Sequence, residues 1–217
     1  MIPCHALMGD DWDHRAIEVY AQNIVPKDTH VGDILELFDG TIGQKPTSTE
    51  LQTIRRFKGI LRPDVLSGGP PCQGHSDLNN HTRRGDPRNS LSLRMVRAAE
   101  ILEPNAVIIE NVSTVVHSKE RVVQTAVREL ERIGYKVMTN ILWANKFGVP
   151  QKRKRHFLIA SKFGEPNFEA LERFELPKDN TLRWAIEDLS SVYCSEETYN
   201  SSSKPSKENQ RRMNWLI

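Results

Sequence analysis

Apolar residues fall in short, separated runs, and their spacing switches between two periods along the chain. Residues 4–9 and 30–35 form brief mixed runs that predict short strands. Residues 64–67 predict a third strand. Residues 106–109, Ala-Val-Ile-Ile, form an unbroken aliphatic run that predicts a strand buried on both faces. Between these runs the spacing is helical. Residues 13–23 predict a helix with Asp13 as N-cap and Ile17, Tyr20 and Ala21 on one face. Residues 49–58 predict a helix capped near Ser48, and residues 90–103 another, with Leu91, Met95, Ala98 and Leu102 at helical spacing. Residues 118–133 predict an amphipathic helix stopped by Gly134. Residues 135–143 and 156–161 predict two more strands. Strands alternating with helices imply an α/β fold, a mostly parallel sheet with helices on both sides.

The character of the chain changes after residue 162. Residues 163–217 are richer in Pro, Ser, Glu and Asn, and Ser-Glu-Glu-Thr-Tyr-Asn-Ser-Ser-Ser reads as linker. A boundary is expected within 163–180, separating a core at 1–162 from a following segment. Hydrophobic residues make up 38% of the 217, enough to build a core, which excludes disorder throughout. No apolar run approaches the ~20 residues of a membrane span. The first residues reach Asp10 and Asp11 too soon for a secretory signal. The expectation is a soluble, cytoplasmic protein with no membrane partner. Cysteines at 4, 72 and 194 are too few and scattered for a disulfide framework or a metal site. A net charge of +2 says little about nucleic acid, but basic residues cluster at Lys152–Arg155 and at Arg83, Arg84 and Arg88.

Four stretches carry candidate chemistry. Gly-Gly-Pro-Pro-Cys-Gln-Gly-His-Ser, residues 68–76, follows a strand directly. Ligands of open α/β sheets bind at the carboxyl ends of strands, so this loop presents Cys72 there. Glycines permit close backbone approach and prolines stiffen the loop. Cys72 is then a nucleophile, or a small buried hydrophobe in a tight turn. Residues 108–112, Ile-Ile-Glu-Asn-Val, bring Glu110 to the same edge, as a proton or hydrogen-bond donor to a heterocycle, or as a carboxylate capping a loop or paired with Arg. In residues 148–160, Gln151, Arg153 and Arg155 alternate; an extended chain would point them to one side, toward phosphate or a carbonyl, or leave them as a solvated edge strand. Asp11 and Trp12 follow the first strand, where an acid binds ribose hydroxyls or caps a helix, and an indole covers a purine or joins the core. Asp33 stands at the matching edge of the second strand.

These stretches occur in an order that closely resembles the C5-cytosine DNA methyltransferase family, over roughly residues 6–162. Gly-Pro-Pro-Cys-Gln-Gly is similar to its catalytic-loop motif, Glu-Asn-Val to its glutamate motif, and Gln-Lys-Arg-Lys-Arg to its Q-x-R-x-R motif. Asp-Asp-Trp-Asp-His-Arg-Ala and Gly-Asp-Ile-Leu are similar to its second and third cofactor motifs. Asp-Pro-Arg-Asn at 86–89 is similar to the segment after the catalytic loop, and residues 181–189 to the approach to target recognition. The resemblance implies a Rossmann-like S-adenosylmethionine-dependent sheet acting on double-stranded DNA. It also implies roles. Cys72 would add to C6 of a flipped cytosine, Glu110 would hydrogen-bond N3 and the amino group, and Arg155 would contact O2. Arg153 would reach the catalytic-loop side or a phosphate, with Gln73, Ser76 and Gln151 on the DNA side. Asp11 would hold the ribose, Trp12 would pack on adenine, Asp33 and Ile34 would line the adenine pocket, and Pro71 would lie beside cofactor and cysteine.

Departures from the family pattern carry expectations too. The glycine-rich first motif and the strand before it, central in the family's sheet, have no counterpart ahead of residue 6, so the sheet is expected to be incomplete at the N-terminus with unpaired edges. The closing motifs and most of the target-recognition domain have none after residue 189. His75 stands where Phe is usual. A restriction-modification or phage modification role is implied, with a restriction endonuclease or a complementing polypeptide as possible partner. The rivals are the related family that methylates a transfer-RNA cytosine, whose loop signature Gly-His-Ser-Asp-Leu does not match, and a non-catalytic remnant or split subunit that binds DNA or a complementing chain.

Overall fold

A computed structural model describes residues 4–56, 62–71, 91–117, 121–177, 180–188 and 206–215. Cys72, Gln73, Ser76, His75 and residues 86–89 lie outside the described residues, as do Arg83, Arg84, Arg88 and Cys194.

The aliphatic run grows into a central strand of seven residues. β4 (Ala106–Val112) pairs in parallel with β3 (Val65–Gly68) and antiparallel with β6 (Lys154–Ser161), which in turn pairs antiparallel with β5 (Lys136–Trp143). The order β3-β4-β6-β5 is therefore mixed rather than mostly parallel. The reason is the short link between β5 and β6, residues 144–153, which holds only a 3-10 turn at Ala144–Phe147. A parallel crossover needs a dozen or more residues, so this link closes an antiparallel pair.

One row of this sheet is apolar from Val107 to Ile109 on β4 and from Leu158 to Ala160 on β6. Val107 faces Ala160 and Ile109 faces Leu158 across the ladder, and α3 (Leu91–Leu102) and α4 (Val122–Arg132) cover them with Val96, Ala99, Ala126 and Leu130. Burying the valine, leucine and isoleucine side chains among them contributes about 1.5–3 kcal/mol each. Both helices thus pack on the same face, whereas the opposite row of β4 and β6 is half-buried among the described residues. Tyr135 closes the lower end, its hydroxyl donating to the Pro104 carbonyl at 2.6 Å. Burial pushes the Tyr135 phenol up to about 12.

The first strands form a separate ribbon. β1 (Met8–Asp11) pairs in parallel with β2 (Asp28–Val31) through α1 (His14–Ile24), capped by Asp13 as its position predicts. The expected strand at 30–35 ends early, because Asp33 and Glu36 form a capping box that starts a 3-10 turn at Ile34–Glu36. α2 (Ser48–Arg56) is capped one residue before the expected Ser48. The Thr47 hydroxyl accepts from Glu50 N, and the Glu50 carboxylate accepts from Thr47 N. Among the described residues β1 pairs only with β2, and β3 only with β4. The ribbon and the larger sheet meet through a small cluster in which Leu37, Phe38 and Ala98 pack with Met8, Ile34 and Leu66.

The region after β6 folds back on the molecule. A 3-10 stretch at Glu169–Phe174 leads to Leu176, whose amide donates to the Lys146 carbonyl at 2.7 Å. The Asn180 side chain donates to the Gly148 carbonyl at 3.0 Å. Two helices follow, α5 (Leu182–Ile186) and α6 (Lys207–Trp215). No helix among the described residues is long and apolar enough to cross a membrane.

Candidate active site

β3 and β4 run side by side with Gly68 opposite Ile109, so residues 69–71 and 110–112 emerge at one edge. Their approach is close: a Cβ on Gly69 would lie 3.3 Å from Glu110 Oε2, so the backbone comes nearest the carboxylate where a side chain would crowd it. β6 enters from the opposite direction. Glu110 faces Phe157 and Val112 faces Arg155, which puts Arg155 one diagonal step from Glu110 on the same face. The Arg155 Nε donates to Glu110 Oε1 at 2.7 Å, and Nη1 donates to the Lys154 carbonyl at 2.7 Å. Both side chains of the pair are half-buried. The carboxylate is therefore ion-paired at the mouth of the site rather than stranded in an apolar pocket.

Of the three alternating residues, only Arg155 lies on a strand. Gln151 and Arg153 sit in the turn before β6, exposed, with Gln151 N donating to Val149 O and Arg153 N to Gln151 O, each at 2.8 Å. Lys154 points its ammonium over the Trp143 ring at 4.7 Å, pinning the start of β6 to the end of β5. The basic run thus divides into an inward guanidinium, a structural lysine and an exposed Arg153.

Adjacent residues on β4 and β6 face the other side. Asn111 lies directly opposite His156, and both are buried. The Asn111 Nδ2 sits 3.4 Å from the Pro70 carbonyl and 3.5 Å from the Ser92 hydroxyl, while its Oδ1 accepts from Val112 N at 2.8 Å. Burial holds the His156 imidazole below its ordinary value. Asn111 stood in the sequence within the Glu-Asn-Val stretch, at the same strand end as Glu110; His156 did not stand out, and its only signal was its place directly after Arg155.

The second part of the site lies at the ends of β1 and β2. The amide of Gly32 donates to the Asp11 carbonyl at 3.1 Å, which aligns the two strand ends. Asp11 Oδ1 accepts from Asp13 N, and Asp33 Oδ1 accepts from Leu35 N, each at 2.9 Å. His30 braces this corner, with Nδ1 2.7 Å from Asp10 Oδ1 and Nε2 3.4 Å from Glu36 Oε2. Burial raises the Asp10 carboxyl above its usual value, against the lowering effect of His30. Trp12 is 81% exposed, so it is not a core residue. Ile34 is half-buried in the cluster that also holds Leu66 of β3, which ties this corner to the strand leading into residues 69–71.

These groups fit an adenosine-bearing cofactor. Asp11 and Asp33 each engage a backbone amide through one oxygen, and a carboxylate has a second for a hydroxyl or amino donor. An exposed indole offers a flat face to a purine. The structure brings together Glu110, Arg155 and the strand end that leads into Cys72. It gathers Asp11, Trp12, Asp33 and Ile34 at a second corner.

The family model for C-5 cytosine-specific DNA methylase matches residues 4–215. Among curated proteins, the chain is similar to type II methyltransferase M1.BsuMI of Bacillus subtilis (strain 168). The two are 36% identical over 207 residues, 95% of this chain and 48% of that protein. It is also similar to DNA (cytosine-5)-methyltransferase PliMCI of Paracentrotus lividus, at 37% identity over 165 residues, 75% of this chain and 10% of that protein. Among solved structures, the Dnmt2 methyltransferase of S. pombe superposes with a TM-score of 0.60 at 23% identity, covering 82% of this chain and 50% of the other. That likeness establishes the Rossmann-like methyltransferase fold. The chain spans about half the length of the first of these curated relatives.

Proposed function

The chain belongs to the C-5 cytosine-specific DNA methylase family, and from that premise we propose that it serves as a DNA cytosine C5-methyltransferase of a restriction-modification or phage modification system. The observation that carries this reading is the Glu110–Arg155 ion pair at 2.7 Å, set against the strand end that leads into Cys72.

Cytosine C5 is too weak a nucleophile to take a methyl group unaided. The Cys72 thiolate forms a bond to C6, and the ring electrons move toward C5 and N3. Glu110, one strand-end away, takes up a proton to donate to N3, where negative charge develops, while its other oxygen accepts from the amino group. Arg155 turns its guanidinium to the O2 carbonyl and keeps Glu110 from drifting. When bound, S-adenosylmethionine supplies a methyl group on a sulfonium, the electrophile that C5 attacks. Loss of the C5 proton to a base and expulsion of the Cys72 thiolate restore the aromatic ring. Asp11 and Asp33 hold the adenosine part by its hydroxyl and amino groups, Trp12 stacks on the purine, and Ile34 and Pro71 line the pocket. Arg153, Gln151, Gln73 and Ser76 contact DNA, and the target base leaves the duplex to be reached from both faces.

Residues 1–162 act as the catalytic core in this reading, with 163–217 leading into target recognition. The contacts of Leu176 and Asn180 with the turn at 146–148 tie the start of that second segment to the core. Work on DNA in a modification system implies a cytoplasmic protein, with a restriction endonuclease as a partner in the same system. Among the described residues β1 and β3 each pair on one side only, which supports a partner that adds an extended segment. The names of the relatives favour an enzyme over a non-catalytic remnant.

Duplex DNA carrying 5-fluorocytosine tests the reading, because fluorine cannot leave C5 as a proton does and the adduct persists. With S-adenosylmethionine present, the protein should form a denaturation-resistant complex linked through the Cys72 peptide, and Cys72→Ala should form none. A parallel arm with 5-fluorocytosine transfer RNA separates the substrates. A complex that survives Cys72→Ala, or one formed only with RNA, overturns the reading.

A further inference from the structure

Alternation along β4 and β6 gives each functional residue a neighbour on the opposite side of the sheet. Glu110 and Arg155 meet on one face; Asn111 and His156, next in sequence to each, meet on the other. The second pair sits where the apolar row Val107–Ala160, Ile109–Leu158 turns polar. Asn111 reaches residues on both sides of segment 72–90: the Pro70 carbonyl before it and the Ser92 hydroxyl, on α3, after it. At 3.4 and 3.5 Å these contacts are long, and the bond that Oδ1 accepts from Val112 N at 2.8 Å holds only the oxygen end of the amide.

His156 is the group that faces it. The imidazole is 3% exposed, faces Asn111 across the ladder, and lines the same small cavity as Asn111 and Ser92. Its Nε2 is fully buried and has no hydrogen-bond partner among the described residues. A buried, unpartnered nitrogen is costly, and an aliphatic side chain would continue the row of Leu158 and Ala160 without that cost. Burial keeps the ring neutral at neutral pH, so it carries one donor and one acceptor nitrogen into an otherwise apolar row. A polar ring kept there against its own stability points to a use.

We propose that His156 is a positioning residue: with Asn111 it forms a buried polar seat that fixes Pro70 and Ser92, on either side of the cysteine segment, relative to the Glu110–Arg155 pair. This rests on the methyl-transfer reading above for the purpose of the seat, though not for its existence. The prediction separates stability from activity. In His156→Leu the orphaned nitrogen is gone, so the melting temperature should hold or rise. Methyl transfer should nonetheless fall by about 10- to 100-fold in kcat, with little change in the KM for DNA, as expected for small misplacement of reacting groups. His156→Gln keeps a polar side chain and should recover most of the rate.

A readout independent of turnover keeps the two ideas apart. The rate at which Cys72 is alkylated by a small thiol reagent, followed by peptide mass spectrometry, should change in His156→Leu by about 5-fold or more and return toward wild type in His156→Gln. If wild-type protein transfers no methyl group, the functional reading fails while the alkylation series still decides the seat. Unchanged kcat and alkylation in His156→Leu would overturn the proposal. So would losses of melting temperature and rate that run in parallel in both variants, since that is the pattern of plain destabilisation.

Discussion

Glu110 and Arg155 form a half-buried ion pair, which limits what the contact contributes to folding. Pairs with access to water stabilise by only about 0–1 kcal/mol. The pair therefore makes better sense as two groups aimed at a shared ligand than as a brace. Glu110→Gln keeps the shape and loses the charge, and should lower kcat by about 10²–10³-fold, the range for removing one electrostatic stabiliser of a developing charge. Its melting temperature should move by less than about 5 °C. Gly69→Ala reaches the same carboxylate by another route, because its Cβ would press on Glu110 Oε2 from 3.3 Å. It should lower kcat less than Glu110→Gln does. Kinetics beside thermal denaturation check both, and a collapse of stability in Glu110→Gln would mean the pair is structural after all. Glu110 and Arg155 were legible in the sequence, since each ends or begins a run whose pattern fixed its place at a sheet edge. Their contact was not, because it depends on the antiparallel register of β4 with β6, and side-chain period alone carries no register.

Helix α3 shows how much an element can conceal. Its spacing predicts an apolar face at Leu91, Met95, Ala98 and Leu102; of these only Ala98 is fully buried, the other three being half-buried, and Val96 and Ala99 complete the buried face. It also buries Arg97, at 0% exposure, against Glu50 at 0%. Arg97 donates from Nε to Glu50 Oε1 at 2.7 Å and from Nη2 to Oε2 at 2.6 Å, and its Nη1 donates to Glu100 at 2.7 Å. Glu50 also accepts from the amides of Gly40 and Thr47, and Glu100 accepts from Gly43 N and Arg132. Through these bonds α3 gathers the 40–47 loop and the start of α2. Gly40 has to be glycine here, since a Cβ would come within 2.6 Å of the pair. The sequence placed the α2 cap near Ser48 and so missed the Thr47–Glu50 box; that the same carboxylate reaches a buried arginine 47 positions later was hidden as well, because helical periodicity treats any charged residue as outward.

Burial alone would push the Glu50 and Glu100 carboxyls up, but the guanidinium and amide donors outweigh it and hold both below 4.5. Each binds fewer protons folded than unfolded, so the stability they contribute is complete above pH of about 4.5 and is lost as pH falls through their lowered folded values. Arg97→Met leaves Glu50 buried without its cation. It should cost about 3–5 kcal/mol at pH 7 and flatten the acid limb of a stability-against-pH curve measured by denaturant titration. An unaltered acid limb would remove this network as the cause of acid sensitivity.

At the scale of the whole molecule, the described sheet is in two pieces. No strand pairing joins the β1–β2 ribbon to β3-β4-β6-β5 among the described residues; the small cluster around Leu37, Phe38 and Ala98 does. The alternating pattern announced an α/β fold, and the split follows from something the pattern cannot express, namely which strand edges find a partner. The consequence is uneven stability, since a unit held by few buried contacts opens before the rest. The ribbon carries Asp11, Trp12, Asp33 and Ile34, so the proposed cofactor corner sits on the less anchored piece. Native-state hydrogen exchange should show the amides of β4 and β6 exchanging slowest, and those of β1 and β2 faster by about 10-fold or more. Phe38→Ala removes the largest buried side chain of the joining cluster, a change that costs about 3–5 kcal/mol in a core. It should speed exchange in β1 and β2 and leave β4 and β6 nearly unchanged. A ligand that binds only the closed ribbon stabilises it by about 2.7 kcal/mol at a hundredfold excess over its Kd. S-adenosylmethionine at that level should therefore slow β1 and β2 by about 100-fold, without matching protection in β5. If Phe38→Ala instead speeds every strand equally, the two pieces open as one unit, and the cofactor corner is as firmly held as the Glu110–Arg155 edge.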